Sequence, residues 1–315
     1  METRKLGSLE VTLVGLGCNN FGMRADEEQS TRVVHAALDA GINFFDTADV
    51  YGGTRSEQYL GRALGKRRED VIVATKFVAP IDDDPSHAGA SARWVAEAVE
   101  GSLRRLGTDR IDLYQQHGPD PNVPIEETLG ALDQLVRAGK VRETGNSNFS
   151  GEQIDEADST SEHDGLARFV SAQNHFNLLH RDPLRDVVPA CVRHGLGVLP
   201  YFPLASGLLT GKYQRDAPAP EGTRLSMLPQ ERAARVMSDD NFDAVDQLAA
   251  FADARDHTIL ELAFAWLAAQ PAMTSIIAGA TKPEQVAANV AAVDWKLSDD
   301  DLAELDGILG SPGEG

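Results

Sequence analysis

Four polar side chains of different chemistry close three short apolar runs. The first run ends Phe45-Asp46-Thr47-Ala48-Asp49-Val50-Tyr51, the second Ala74-Thr75-Lys76 and the third Tyr114-Gln115-Gln116-His117. A carboxylate, a phenol, an amine and an imidazole make a coherent proton-transfer set. A tyrosine of pKa about 10 donates poorly near neutrality, and an adjacent ammonium is expected to stabilise its phenolate and draw that value down. A carboxylate against the lysine keeps it charged and in place. A histidine beside the phenol shares the hydrogen bonding to one substrate oxygen. Such a site protonates a carbonyl oxygen while a separate donor delivers hydride to the carbon. Each residue alone has an ordinary structural use, as surface lysine, core histidine or turn-capping aspartate. The weight lies in the four together.

Bringing them together takes adjacent parallel strands. Strand-type runs are expected at Val14–Gly17, Asn43–Asp46, Val71–Lys76, Ile111–Gln116, Val141–Asn146, Phe169–Gln173, Gly197–Pro200 and Thr274–Ala278. Amphipathic segments lie between them: Glu27–Ala40, Ser56–Leu64, Ser91–Leu106, Ile125–Ala138, Ser150–Ala157, Pro183–His194, Asp240–Gln270 (two helices) and Lys282–Ala292. Strand-helix alternation implies parallel strands with helical crossovers. Eight rounds without a Pro/Gly/Ser-rich linker predict one domain over 1–315, an α/β fold built as a (β/α)8 TIM barrel. Lys5–Val11 reads as an N-terminal β-hairpin turning at Gly7-Ser8, and Ser298–Leu309 as an additional C-terminal helix with a Ser298 cap. The polar stretch Asp155–Gly165 reads as a solvated connection. Two connections are long, Phe77–Ala90 and Pro203–Gln230, and both follow strand C-termini, the face where barrel active sites sit. The tail Gly310–Gly315 is expected to supply little lid, leaving an open site.

Composition narrows the partners. The chain has 315 residues, 42% hydrophobic, with 29 Lys plus Arg against 49 Asp plus Glu, a formal net charge of −20. That balance repels phosphate backbones and anionic membranes, so no nucleic-acid or membrane partner is expected. Two cysteines, Cys18 and Cys191, cannot make a disulfide framework. Met1–Val11 lacks the apolar core of a signal peptide, and Leu262–Ala269 is too short to span a bilayer. The expectation is a cytoplasmic enzyme, monomeric or weakly homo-oligomeric. No metal site is expected, because the eight histidines are scattered. Gly15-Leu16-Gly17-Cys18-Asn19-Asn20 starts like a dinucleotide fingerprint but holds Asn20 where the third glycine belongs.

Longer motifs carry a family resemblance. Gly41-Ile42-Asn43-Phe44-Phe45-Asp46-Thr47-Ala48-Asp49-Val50-Tyr51-Gly52, with Ser56-Glu57 and Leu60-Gly61, resembles the aldo-keto reductase signature. The likeness continues through Ile111-Asp112-Leu113-Tyr114, His117, Gly139-Lys140-Val141-Arg142, Ser147-Asn148-Phe149, Gly207–Tyr213 and Gly279-Ala280-Thr281 to Asn289. It implies a (β/α)8 barrel that interconverts carbonyls and alcohols with NADP, NADPH being preferred and NADH the second candidate. Tyr51 would be the general acid/base, Lys76 and Asp46 its tuning pair, and His117 the group orienting the carbonyl. The nicotinamide carboxamide would meet Ser147, Asn148 and Gln173, with its ring on Tyr201. The pyrophosphate would follow Pro203, Leu204, Ser206, Leu208 and Lys212. The adenosine end would meet Gly279, Thr281, Lys282, Gln285 and Asn289. Gly279 and Gln285 stand where many NADPH-preferring relatives carry basic residues, which leaves Lys282 as the nearby cation. Asn20, Phe21 and Phe77 would border the substrate, a small carbonyl or alcohol that the sequence does not name. Asn146 is expected to turn inward to a polar neighbour. The resemblance admits a second reading, a channel β-subunit-like protein that senses the coenzyme with little turnover; a hydrolase built on Asp46 and His117 would leave Lys76 unexplained.

Overall fold

The computed structural model describes residues 1–310. Eight strands pair in parallel in the order β10-β3-β4-β5-β6-β7-β8-β9. They are β3 (Val14–Gly17), β4 (Phe44–Asp46), β5 (Ile72–Phe77), β6 (Ile111–Gln116), β7 (Val141–Ser147), β8 (Phe169–Gln173), β9 (Gly197–Val198) and β10 (Ile276–Gly279). The ring closes where Val198 N donates to Ala272 O at 2.8 Å, Thr274 N to Val198 O at 3.0 Å and Ile277 N to Pro200 O at 3.1 Å. The fold is the (β/α)8 barrel expected from the alternation.

Below the strands lies the hairpin of β1 (Thr3–Leu6) and β2 (Leu9–Thr12). Its Leu6, Leu9 and Val11 cluster with Phe44, Ile72, Ala74, Leu113, Leu199 and Ile277. Inward positions recur every second residue along a strand. The inward face therefore reads Ile72, Ala74, Lys76 on β5, Phe44, Asp46 on β4, and Leu113, Gln115 on β6. Each strand is apolar at the floor and polar at its C-terminal end, which puts the chemistry on one rim over a dry plug. A larger core between strands and helices binds the outer layer.

The helices are α1 (Glu27–Asp39), α2 (Arg55–Leu64), α3 (Ala92–Leu106), α4 (Ile125–Arg137), α5 (Gly151–Asp164), α6 (Val187–His194), α7 (Gln230–Val236), α8 (Asp239–Asp253), α9 (Ile259–Ala269), α10 (Pro283–Ala291) and α11 (Asp299–Leu309). One expectation changes. Asp155–Gly165 is not a connection: α5 continues to Asp164, started by the Ser150/Gln153 capping box and ended by left-handed Gly165. Its buried face, Ile154, Ala157, Asp158 and Ser161, keeps helical spacing with small and polar residues, so hydrophobicity alone undercounted it. The long connection after β9 is present as expected; it holds a short turn at Ala205–Thr210, another at Leu225–Met227, and leads into α7. Residues 311–315 of the tail lie outside the described chain.

Candidate active site

Tyr51 stands on the turn that leaves β4. Tyr51 N donates to Ala48 O at 3.2 Å and Ser56 N to Tyr51 O at 3.2 Å, which joins the turn to α2. Gly52 has φ +61°, and a Cβ there would lie 2.3 Å from Phe21 O, so this bend accepts only glycine. Glu57, one helical step inside α2, is fully buried and takes bonds from Thr75 Oγ1 and Arg105 Nε, both at 2.6 Å. That carboxylate ties α2 to β5 and α3 directly behind the rim.

The four expected residues converge. Lys76 Nζ donates to Asp46 Oδ1 at 2.6 Å and to Thr47 O at 2.7 Å. An ammonium has three donors; the third faces Tyr51 Oη at 3.5 Å. Tyr51 Oη lies 3.5 Å from His117 Nε2. His117 is held through its backbone, its N–H on Phe77 O at 2.9 Å and its carbonyl accepting from Asn148 Nδ2 at 2.9 Å.

Electrostatics correct one expectation. Tyr51 is raised above its ordinary value, because burial outweighs the stabilisation offered by Lys76. Lys76 spends its closest contacts on Asp46 and Thr47 O, so its charge is largely answered before it reaches the phenol. Burial pulls the Lys76 ammonium down, but the attraction of Asp46 and Tyr51 leaves it raised overall. His117 is lowered to about 3 by burial and then by Lys76. The resting site therefore presents a protonated phenol, a charged lysine and a neutral imidazole.

A model of the aldo/keto reductase family matches residues 13–309. The chain belongs to this family. It is 35% identical over 99% of its length to an uncharacterized oxidoreductase, YrpG, of Bacillus subtilis, covering 97% of that protein. It is 35% identical to the aldo-keto reductase YhdN of the same species, over 96% of this chain and 91% of the relative. A probable voltage-gated potassium channel subunit beta of Arabidopsis thaliana is 34% identical over 93% of this chain and 92% of its own.

In this aldo/keto reductase the residues expected to hold a nicotinamide lie around the four converging side chains. The Tyr201 ring is half-buried and stacked on His175, centroids 5.6 Å apart and 12° from parallel. Tyr201 Oη donates to Asn148 Oδ1 at 2.8 Å. Asn148 and Ser147 therefore act as braces, with Ser147 Oγ donating to Gln173 O at 2.8 Å. Gln173 reaches Asp46 itself, Nε2 to Oδ2 at 2.8 Å. Pro203 and Leu208 are buried, Leu204 and Ser206 half-buried, and Ala205, Ser206 and Gly207 take three successive positive φ values of 46°, 59° and 96°. That conformation is free for Gly207 but strained for Ala205 and Ser206.

Other calls shift. Phe21 and Phe77 are fully covered by protein, Phe77 against Tyr114 at 4.8 Å, so neither offers surface to a substrate in this structure. Asn20 is buried at the base of the same loop. Asn146 is buried in register with Gln116, off the face that carries Gln115, and among the described residues neither of its amide atoms has a partner, against the expected polar neighbour. Gly279 is exposed but closely bordered: a Cβ would lie 3.1 Å from Asn20 Nδ2 and 3.3 Å from Asn19 Oδ1, so a larger residue there would displace those side-chain amides slightly. Gln285 Oε1 accepts from Thr281 N at 2.8 Å and Thr281 Oγ1 at 3.2 Å, while Lys282 is exposed and Asn289 buried. Cys18 is a buried thiol, pushed well up by burial.

Two cations beside the site escaped the sequence reading, Arg24 and Arg224. Arg24 Nη2 donates to Gly222 O at 2.8 Å, bridging the loop after β3 to the loop after β9. Arg224 lies over the Phe202 ring at 4.4 Å, and its charge acts on Tyr51. Both are lowered, first by burial; Lys212 is lowered likewise and then by Arg24. The signal was available as basic residues inside the two rim loops of an otherwise acidic chain.

The buried groups set a stability profile with a maximum. His117 at about 3 and His175 at about 4, both lowered by burial, refuse protons that the unfolded chain takes up below 6.5. Asp49, raised to about 8 by burial and then by Glu57, keeps a proton that the unfolded chain releases above 3.8. From about pH 4 to 6.5 the unfolded chain then carries one more proton than the native one; from 6.5 to 8 it carries one fewer. Stability is expected to peak near pH 6.5, falling on each side by at most about 1.4 kcal/mol per unit. Urea unfolding from pH 4 to 9 checks this. Asp49→Asn is expected to flatten the alkaline limb, and an unchanged limb would refute the assignment.

Proposed function

We propose that this chain reduces aldehyde or ketone carbonyls to alcohols, reversibly, as one catalytic barrel working in the cytoplasm. The observation that carries the reading is the Lys76 ammonium held between Asp46 and Tyr51, with His117 on the far side of the phenol. A substrate oxygen between Tyr51 Oη and His117 Nε2 would accept hydrogen bonds from both. As the carbon is reduced, that oxygen becomes an alkoxide and takes the proton of Tyr51. The raised value of the phenol keeps that proton on Tyr51 through neutral pH. Lys76 then faces the new phenolate, and solvent returns the proton. Alcohol oxidation reverses the steps.

Reduced nicotinamide, when bound, supplies the hydride. The donor set fits a dinucleotide. Among the described residues, Arg24, Lys212 and Arg224 gather cationic groups without a carboxylate partner in a chain of formal charge −20. Arg24 Nε is buried and has no partner among those residues. These residues would take the phosphates, and the open face of Tyr201 a flat ring. Arg224→Ala is expected to weaken NADPH and NADH alike.

The adenosine end favours NADPH narrowly. Gln285 is occupied by Thr281, and exposed Lys282 is the cation left for a 2′-phosphate. An exposed charge pair contributes about 1 kcal/mol or less, roughly a fivefold preference. Fluorescence titration with both nucleotides tests it: Lys282→Ala should bring NADPH to the affinity of NADH and leave NADH unchanged. Preference above a hundredfold would contradict this account.

A second reading rests on the potassium channel subunit beta relatives of Arabidopsis thaliana and Oryza sativa, 34% and 35% identical over 93% of this chain. In it the barrel senses coenzyme and turns over little. A panel of aldehydes and ketones with saturating NADPH separates the two: tight binding with no turnover favours the sensor.

A further inference from the structure

The inward face of β6 carries a residue that the reaction outlined above does not use. Gln115 is fully buried at the level of the catalytic four, in register with Lys76 on one side and Gly145 on the other. Its Nε2 donates to Asp46 Oδ2 at 3.2 Å. Gln173 Nε2 donates to the same oxygen at 2.8 Å and lies 3.4 Å from Gln115 Oε1. Asp46 thus shows one oxygen to Lys76 and the other to two amides.

The chemistry fixes how those amides turn. A carboxylate only accepts, so both must present N–H to Asp46. Gln173 Nε2 has two hydrogens, one for Asp46 and one for Gln115 Oε1. Its carbonyl oxygen is then the only group Gln173 has left to offer, and it can only accept. Gln115 removes the alternative in which Gln173 rotates and offers N–H instead.

The barrel makes room for this arrangement. A Cβ at Gly145 would lie 2.1 Å from Ser171 Oγ, 3.2 Å from Gln115 Cγ and 3.4 Å from Leu113 Cδ1. Such a Cβ would meet Ser171 Oγ first and then press on Gln115 Cγ, so glycine at 145 leaves space that both side chains use. A glycine inside a strand weakens it, so the strand gives up stability where a long amide must fit.

We propose that Gln115 is a positioning residue: by bonding both Asp46 and Gln173 it sets Gln173 as an acceptor toward the N–H₂ of the nicotinamide carboxamide, and links coenzyme binding to the Asp46–Lys76 pair. The inference rests on the reductase reading above. Its consequence is selective. Losing Gln115 harms recognition of the nicotinamide end and leaves the adenosine end alone, because Thr281 and Lys282 lie in the turn after β10 and Gln285 and Asn289 on α10.

Gln115→Met keeps the length and removes both hydrogen bonds. Dissociation constants are measured by protein fluorescence for NADPH and for 2′-phospho-ADP-ribose, which lacks the nicotinamide. The expected result is about tenfold weaker NADPH, the scale of one or two buried hydrogen bonds, with the fragment within twofold of wild type. Equal weakening of both ligands would show general damage and overturn the proposal; so would unchanged NADPH affinity. Gly145→Ala, which intrudes on the same space, should reproduce the selectivity. If the wild-type chain binds neither ligand, the reductase reading itself falls and the proposal with it. If wild type binds both and Gln115→Met matches it, only the proposal falls.

Discussion

Tyr51→Phe is expected to lower carbonyl turnover by about a thousandfold or more while leaving NADPH affinity within about twofold. A positioned general acid contributes roughly 10² to 10⁴ in rate, and here no other group stands ready to replace it. His117 is neutral, held at about 3 by burial and Lys76, so it has no surplus proton to give at neutral pH. Lys76 holds its protons against Asp46 and Thr47 O. Phenylalanine keeps the ring, its edge-on contact with His117 at 5.6 Å and the turn at Gly52. Single-turnover hydride transfer, followed by nicotinamide absorbance, isolates the effect from product release. Residual turnover within tenfold of wild type would mean that water or His117 supplies the proton, and that the assignment of Tyr51 is wrong.

The barrel was legible because its determinants are local. Val14–Gly17, Ile111–Gln116 and Phe169–Gln173 are short apolar runs bounded by turn chemistry, and the structure keeps those limits. The four converging residues were legible because each lies at a strand end or on the turn just past it, and strand ends on one rim meet whatever their separation in sequence. Other features depend on terms that no local pattern holds. The phenol rises rather than falls because burial is a property of the assembled rim. Phe77 looked like a wall aromatic from its place after Lys76, yet the alternation of β5 sends it outward onto Tyr114. The α5 helix was cut short because Asp158 and Ser161 face inward, where Asp158 meets Arg168 and His194. Arg24 and Arg224 come from the loops after β3 and β9, far apart in sequence, and only the fold brings their charges within reach of each other. Gln115 is one of two adjacent glutamines, and only the register shows which faces the acid.

The Asp46–Lys76 pair gives the second large expectation, and it separates stability from chemistry. Lys76 is fully buried and Asp46 nearly so, with 2.6 Å between them. Removing one member of such a pair leaves an uncompensated buried charge, a loss of about 3–5 kcal/mol. Lys76→Met is expected to cost that much by urea unfolding, since Gln115 and Gln173 give Asp46 hydrogen bonds but no positive charge. Adding Asp46→Asn removes the stranded anion, and most of the lost stability should return, because a buried pair contributes little net once both charges are gone. Turnover should not return. Tyr51 needs a cation to face its phenolate, and the double variant has none there, so the rate stays at least about a hundredfold below wild type. Restored stability with absent turnover assigns the pair to chemistry. A double variant as unstable as Lys76→Met would make the ion pair a structural brace, and a double variant that turns over would remove Lys76 from the mechanism.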